Sequence, residues 1–271
     1  MVLDAAVLGP ASAGALGAAV GLVLALTGAG GGVLAVPLLV LVLHWPLAQA
    51  APAALLAVGL AAALAAAQGL RQGEVRWRAA LLMGGMGMLG APVGVAWGHA
   101  LPAGPLLLAF ALLMCWLAWR QWPRPTSTAA PASSTLPPCV LDPRHGRLHW
   151  TSPCVRAIAG TGLLSGLLSG LIGVGGGFVI VPALRRHTDL ALRQVQLTSL
   201  AVIALVAVSG VATAALHGQV HWPEALPFAG GAMLAMLLGR RMANRLSADN
   251  SQRLFAIACA SVALVLMAKL P

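Results

Sequence analysis

The 271-residue chain is 59% hydrophobic and only 8% charged, with a mean hydropathy of +0.90 and a formal net charge of +10. Soluble domains carry about a quarter charged residues, so this composition excludes a soluble globular protein and points to an integral membrane protein. The basic excess does not mark a nucleic-acid surface, because the cations flank apolar segments and form no aromatic-interleaved stripe.

In chain order, the opening "MVLDAAVLGPASAG" contains no Lys or Arg. Secretory signals start with a basic region, so the first apolar helix, about 11–27, is expected to be retained. It runs into "GAGGGVLAVPLL", Gly28 to Leu39. The short apolar segment after the glycines, Val33 to Leu43, reaches about 16 Å as a helix, about half of a hydrocarbon core. Beyond a turn at "HWPL", helices are expected at about 48–70, 79–98 and 104–120, with the polar "RQGEVRWR" between the first two. The composition then changes. "PRPTSTAAPASSTLPP" cannot bury enough apolar surface to order itself, so 121–154 is expected to be a flexible linker. It would join a first transmembrane repeat, 1–120, to a second, 155–271. The second continues with a helix to about 172, a glycine tract, a short segment 178–184, the polar "RRHTDLALRQ", and helices near 191–216, 225–243 and 253–269.

Four cysteines form no CxxC pair. Cys115 and Cys259 lie in apolar helices, where Cys acts as a small hydrophobe. Cys139 and Cys154 flank a loop within this linker, and on the cytoplasmic side they are expected to remain free thiols.

The halves repeat at a single offset. Gly28 and Gly173 lie 145 positions apart, and the same offset pairs Gly17 with Gly162, Gly21 with Gly166, Pro37 with Pro182, Gln49 with Gln194, and "GEVRW" (73–77) with "GQVHW" (218–222). Gly, Pro, Gln and Trp in one register mark a duplication. Equivalent loops are basic in only one copy: Arg71, Arg76 and Arg78 face a partner loop without Lys or Arg, and Arg185, Arg186 and Arg193 stand opposite Val40, Leu41 and Ala48. Under the positive-inside rule the copies then have opposite orientations. The expected fold is an all-α polytopic membrane protein of two inverted-topology repeats with glycine-broken helices. The linker would be cytoplasmic and both termini outside, with an odd number of crossings per copy whether or not the first helix and short segment form a hairpin.

Glycine in a helix interior costs about 1 kcal/mol relative to alanine, and a cluster should interrupt the helix. In hydrocarbon the freed N–H and C=O groups are tolerated only where protein or a water-filled cavity satisfies them. A helix restarting after such a break offers unpaired N–H groups and a partial positive charge, which attract anions. The expected substrate-binding residues are therefore Gly28, Gly30, Gly31, Gly32 and Pro37 in copy one, and Gly173, Gly175, Gly176, Gly177 and Pro182 in copy two. Gln49 and Gln194 at equivalent helix starts, and Thr198 and Ser199 one turn further on, complete the set.

At these residues the chain resembles the TauE/SafE family, also called the toluene-sulfonate uptake permease family. The resemblance rests on the doubled "GAGGGVLAVPLL" and "GVGGGFVIVPAL", with "QLTSLAVIAL" (196–205) after the second copy and a variable middle loop. It covers both halves outside the linker. It implies movement of sulfite or of sulfur-containing or carboxylated organic anions across the inner membrane. One departure concerns symmetry: Thr198 and Ser199 align with Ala53 and Ala54.

Other features point to less. "GMGMLG" at 85–90 lacks the strand–turn–helix setting of a dinucleotide site. His217 and His221 have zinc-like i, i+4 spacing but lie in a loop with no third ligand evident. Gln68, Ser165, Ser169, Ser209 and Thr213 are expected to bond between helices. All six acidic residues map to loops or termini, which argues against a buried carboxylate relay. The expected activity is that of a secondary transporter for small anions, working by alternating access, with no covalent chemistry, no cofactor and no metal. An intramembrane enzyme or a non-transporting scaffold are the alternatives. The expected partners are the anion and membrane lipid. Coupling to proton or sodium and homo-oligomer formation are left open.

Overall fold

The computed structural model describes residues 10–121, 139, 151–243 and 248–269. The expected linker lies outside the described residues except at its edges and Cys139. Among the described residues the chain forms ten α-helices: α1 (Pro10–Thr27), α2 (Ala35–Val42), α3 (Leu47–Arg71), α4 (Trp77–Ala100), α5 (Ala103–Gln121), α6 (Ser152–Ile172), α7 (Gly177–His187), α8 (Leu192–Leu216), α9 (Trp222–Ala243) and α10 (Ala248–Lys269). Among these residues there is no strand, only an isolated bridge between Cys139 and Thr188.

Among the described residues four helices, α3, α4, α6 and α8, are long and apolar enough to cross a membrane. At 1.5 Å per residue, the 25 residues of α3 or α8 span about 37 Å. Large apolar side chains such as Leu81 and Leu89 of α4, Leu234 of α9 and Leu264 of α10 are exposed on the outer faces of the helices, an arrangement suited to lipid and not to water. Trp77 and Trp222 open α4 and α9 as exposed rings, and the Arg78 guanidinium lies 5.1 Å from the Trp77 ring centre. Such rings suit the membrane–water boundary.

The packing is built on glycines. On α6, a Cβ at Gly162 would run into the backbone of Met83, and one at Gly166 into that of Gly87. The residue numbers rise together, so α4 and α6 run parallel. Positions 145 away repeat this: Gly17 of α1 abuts Phe228 of α9, and Gly21 abuts Ala232. The first helix of each half thus packs on the fourth helix of the other. Removing the Cβ lets backbones touch and gain dispersion where no hydrophobic effect favours helix contact.

The central pair, α3 and α8, runs antiparallel, with Leu55 against Gly210, Gly59 against Ala207, and Gly69 against Leu197. The loops at 72–76 and 217–221 therefore lie at opposite ends of this pair. Their backbones match bond for bond. The Glu74 N–H donates to Gly69 O as the Gln219 N–H donates to Ala214 O, and the Gly73 and Gly218 turns share φ values of 70° and 69°. One end carries Arg71, Arg76, Arg78 and Arg193, with Arg185 and Arg186 at the foot of α7. The other carries His44, His217, His221 and Glu224. These are called the arginine end and the histidine end below. α1 leaves the histidine end and the chain returns there through α2 to start α3; α6 leaves the arginine end and returns there through α7 to start α8. Of the two topologies open in the sequence, each broken segment is thus a hairpin.

The structure corrects the expectation for two of the cysteines. Cys139 and Cys154 form a disulfide, with Cα atoms 5.2 Å apart. The Cys139 N–H donates to the His187 carbonyl at 3.1 Å, and this pairing beside Thr188 holds Cys139 over the first turn of α6. That turn is fixed by Thr151, whose side chain accepts from the Cys154 N–H at 3.3 Å, a cap of about 1 kcal/mol. A 15-residue separation carries no local signature of such a bond, because an α7 contact in a distant part of the chain creates it.

Gly166→Ala should cost about 1–3 kcal/mol or prevent folding, because the neighbour is backbone. Gly85→Ala, where nothing lies within 4 Å, should stabilise by about 0.5–1 kcal/mol through helix propensity. Thermal unfolding of both variants in one detergent checks the contrast.

Candidate functional site

The two glycine tracts meet at mid-height of the α3–α8 pair. In copy one, Gly28–Leu34 winds as a 3₁₀ helix and folds back so that Gly31 abuts the backbone of Val23 and Leu24. The tract tightens the chain there and does not unwind it. Copy two breaks outright: Gly173, Gly175 and Gly176 have φ of 75°, 75° and 65°, a region closed to most L side chains. Gly173 ends α6 and Gly176 starts α7. A Cβ on Gly32 would lie 2.8 Å from Val58 Cγ1 and 3.2 Å from the Val174 carbonyl oxygen. One on Gly175 would lie 3.1 Å from Ile203 Cγ2 and 3.3 Å from Val58 Cγ1. Val58 and Ile203 are themselves 145 apart. One backbone crossing, walled by an equivalent pair of side chains, thus joins the two tracts, and Gly31–Pro37 and Gly173–Phe178 are all buried.

The polar groups around this junction are few. Ser165 Oγ donates to the Gly176 carbonyl at 3.2 Å, adding a side-chain bond across the break to the carbonyl that starts α7. Ser169, one turn before Gly173, is fully buried and its Oγ has no hydrogen-bond partner. In α7 the first backbone bonds run from the Val179 and Ile180 N–H groups to the Gly176 carbonyl, which leaves Gly177 and Phe178 N–H outside the ladder. Pro37 and Pro182 sit inside α2 and α7, where each withholds a donor from the carbonyl four residues earlier.

The remaining expected residues lie elsewhere. Thr198 is buried at the arginine end, where its Oγ1 accepts from the Arg76 N–H at 3.1 Å. Ser199 Oγ donates to its own helix at Val195 O, 2.8 Å. Gln49 and Gln194 are half-buried at the starts of α3 and α8, which begin at opposite ends. Of the other helix-borne polar residues, Ser209 bonds across to α4 at Met88 O, whereas Thr213 bonds within α8. His217 and His221 flank the Gly218 turn, and among the described residues no three His, Cys, Asp or Glu side chains gather as a ligand set.

Two features went unmarked in the sequence. A cavity of about 240 Å³ lies at the histidine end between α3, α4, α6 and α8. Ala48, Ala51, Pro52 and Leu55 line it from α3, Gly170 and Gly173 from α6, and Gln219 from the loop before α9, so it reaches the first residue of the copy-two tract. At the arginine end, Gln196 Nε2 donates to the Thr27 carbonyl at 3.4 Å, and Arg193 Nε pairs with Glu74 Oε2 at 2.6 Å.

A family model described as "Sulfite exporter TauE/SafE" matches residues 13–266. The chain belongs to the sulfite exporter TauE/SafE family. Two relatives, each called "Probable membrane transporter protein", come from Xylella fastidiosa strains 9a5c and Temecula1 / ATCC 700964. The first is 30% identical over 259 residues and the second 31% over 255, covering 92% of this chain and 91% of each relative. No solved structure matches. With its apolar spans, this TauE/SafE member is a multi-pass membrane protein of a transporter family.

Two serines should respond with opposite signs. Ser165→Ala removes the one side-chain bond to the Gly176 carbonyl, which keeps its backbone donors Val179 and Ile180, and should destabilise by about 1 kcal/mol. Ser169→Ala removes a buried hydroxyl without a partner and should leave stability unchanged or raise it by about 1 kcal/mol. Melting curves of the two purified variants check this.

Proposed function

We propose that this TauE/SafE member is a secondary transporter that moves small sulfur-containing or organic anions, such as sulfite or sulfonates, across the inner membrane by alternating access. The observation that carries the reading is the meeting of the two glycine tracts between Val58 and Ile203. Bare backbone in hydrocarbon is retained only where it lines protein or a cavity, and helix starts at such a place favour negative charge. The unpartnered Ser169 hydroxyl beside Gly173 supports a polar ligand there, since a lone buried hydroxyl is a cost that structures otherwise avoid. The antiparallel course of α3 and α8, helices at the 145-residue offset, supports two inverted repeats. Rocking of one repeat against the other about the α3–α8 crossing would expose the junction to each side in turn.

The direct test is flux. Vesicles containing the purified chain should accumulate or release radiolabelled sulfite or a small sulfonate faster than empty vesicles. Gly32→Ala crowds the junction and should lower that flux about tenfold, a small loss of transition-state fit, while Gly85→Ala keeps it. Equal flux in empty and loaded vesicles across the anion panel would remove the reading.

The orientation follows from charge. Arg71, Arg76, Arg78, Arg185, Arg186 and Arg193 gather at one end, which supports a cytoplasmic arginine end with the linker, and external termini. The Cys139–Cys154 bond shares that end, yet cytosolic thiols are kept reduced. Thiol trapping in intact cells decides between these rules. The proposed orientation expects both cysteines as free thiols in growing cells, oxidised only after isolation. A disulfide already present in reductant-competent cells would reverse the orientation.

A further inference from the structure

The two ends of the α3–α8 pair have the same backbone but different side chains, and the difference is systematic. At the arginine end, the 72–76 loop is tied to the first turns of α8 by side chains. Arg193 Nε pairs with Glu74 Oε2 at 2.6 Å, Arg193 Nη2 donates to Gln72 Oε1 at 3.2 Å, and Thr198 Oγ1 accepts from the Arg76 N–H at 3.1 Å. Gln196 reaches across to the Thr27 carbonyl, the residue before the copy-one glycines. Shifted by 145 to the histidine end, Arg193, Gln196 and Thr198 become Ala48, Ala51 and Ala53, and Glu74 becomes Gln219. A methyl group cannot make any of these contacts. In their place lies the 240 Å³ cavity, lined by Ala48, Ala51 and Gln219 and running to Gly173.

We propose that the Arg193–Glu74 pair and its neighbouring bonds are the gate of the transport path at the arginine end, and that the structure has this gate shut while the cavity at the histidine end is the open half of the path. The inference rests on the transport reading above and adds to it a state and a gating pair. Its chemistry suits a gate. The pair is half exposed, with relative side-chain exposures of 58% and 29%, and an exposed ion pair is weak enough to open thermally, whereas a buried one is not. The bonds also join opposite halves: the loop belongs to the first and α8 to the second, so they hold one half against the other at a single end. The Gln196 amide fills the place that Ala51 leaves empty at the opposite end.

The test uses the full chain with Cys115 and Cys259 replaced by Ala, and reads accessibility without any substrate. Reporters are Thr27→Cys at the arginine end and Ala51→Cys in the cavity, labelled with a polar maleimide after purification under non-reducing conditions. In the parent, Ala51→Cys should react faster. Neutralising the pair, Glu74→Gln with Arg193→Gln, should raise the Thr27→Cys rate about threefold, the scale of one exposed ion pair, and lower the Ala51→Cys rate. Exchanging the charges, Glu74→Arg with Arg193→Glu, should restore the parent pattern. Building the pair at the other end, Ala48→Arg with Gln219→Glu, should slow Ala51→Cys. Unchanged rates in the neutralised protein, or an unslowed cavity reporter in the rebuilt one, would overturn the gate. Melting curves confirm that each variant is folded. Because labelling needs no anion, a shut gate in a chain that moves none of the tested anions would count against the transport reading and not against the gate.

Discussion

The structure depends on one constraint: hydrocarbon offers a peptide group no hydrogen-bond partner. A chain that interrupts its helices twice must therefore wrap each interruption in protein. The two tracts do this for one another. Gly32 lies on the Val174 carbonyl, Gly175 lies between Val58 and Ile203, and Ser165 takes the Gly176 carbonyl. The glycines are what let the backbones come this close, so the residues that break the helices also close the wound. The hairpins enter from opposite ends and overlap at mid-height, Thr27 reaching Gln196 and Gly173 reaching Ala51, and α3 and α8 supply the wall between them.

Most of the fold was legible in the sequence because apolar runs and polar turns set helix bounds, and hydrocarbon leaves little freedom beyond them. The repeat offset was legible because Gly, Pro and Trp cannot be exchanged as freely as Leu and Ala. The disulfide was not, because a backbone bond from Cys139 to His187 creates it across the fold. The conformation of the copy-one tract was not legible either: four glycines in five residues permit a break, and the packing of Gly31 on α1 selects a 3₁₀ coil instead.

The candidate site was legible at its glycines and obscure at its side chains. Gln49 attracted notice as a polar residue at a helix start, yet the cavity stripe on α3 is Ala48, Ala51, Pro52 and Leu55, the i, i+3, i+4, i+7 face, and Gln49 falls off it. Thr198 was marked for a hydroxyl in an apolar setting, and that hydroxyl holds the start of α4. The informative signal was the mismatch between copies. Where Arg193, Gln196 and Thr198 face Ala48, Ala51 and Ala53, a duplicated framework has been given two different ends, and a difference of that kind separates directional function from shared scaffolding.

The exchange of partners between halves has a consequence for how the chain is made. α1 rests on α9, and α6 rests on α4. During synthesis α4 precedes α6 by about fifty residues, whereas α1 precedes its partner α9 by about two hundred. Its small-residue face, Gly14, Gly17 and Gly21, has no α9 to pack on until residues 222–243 have been made. A chain stopped before α9 would keep that face uncovered, so the fold of the first half is closed only by the second.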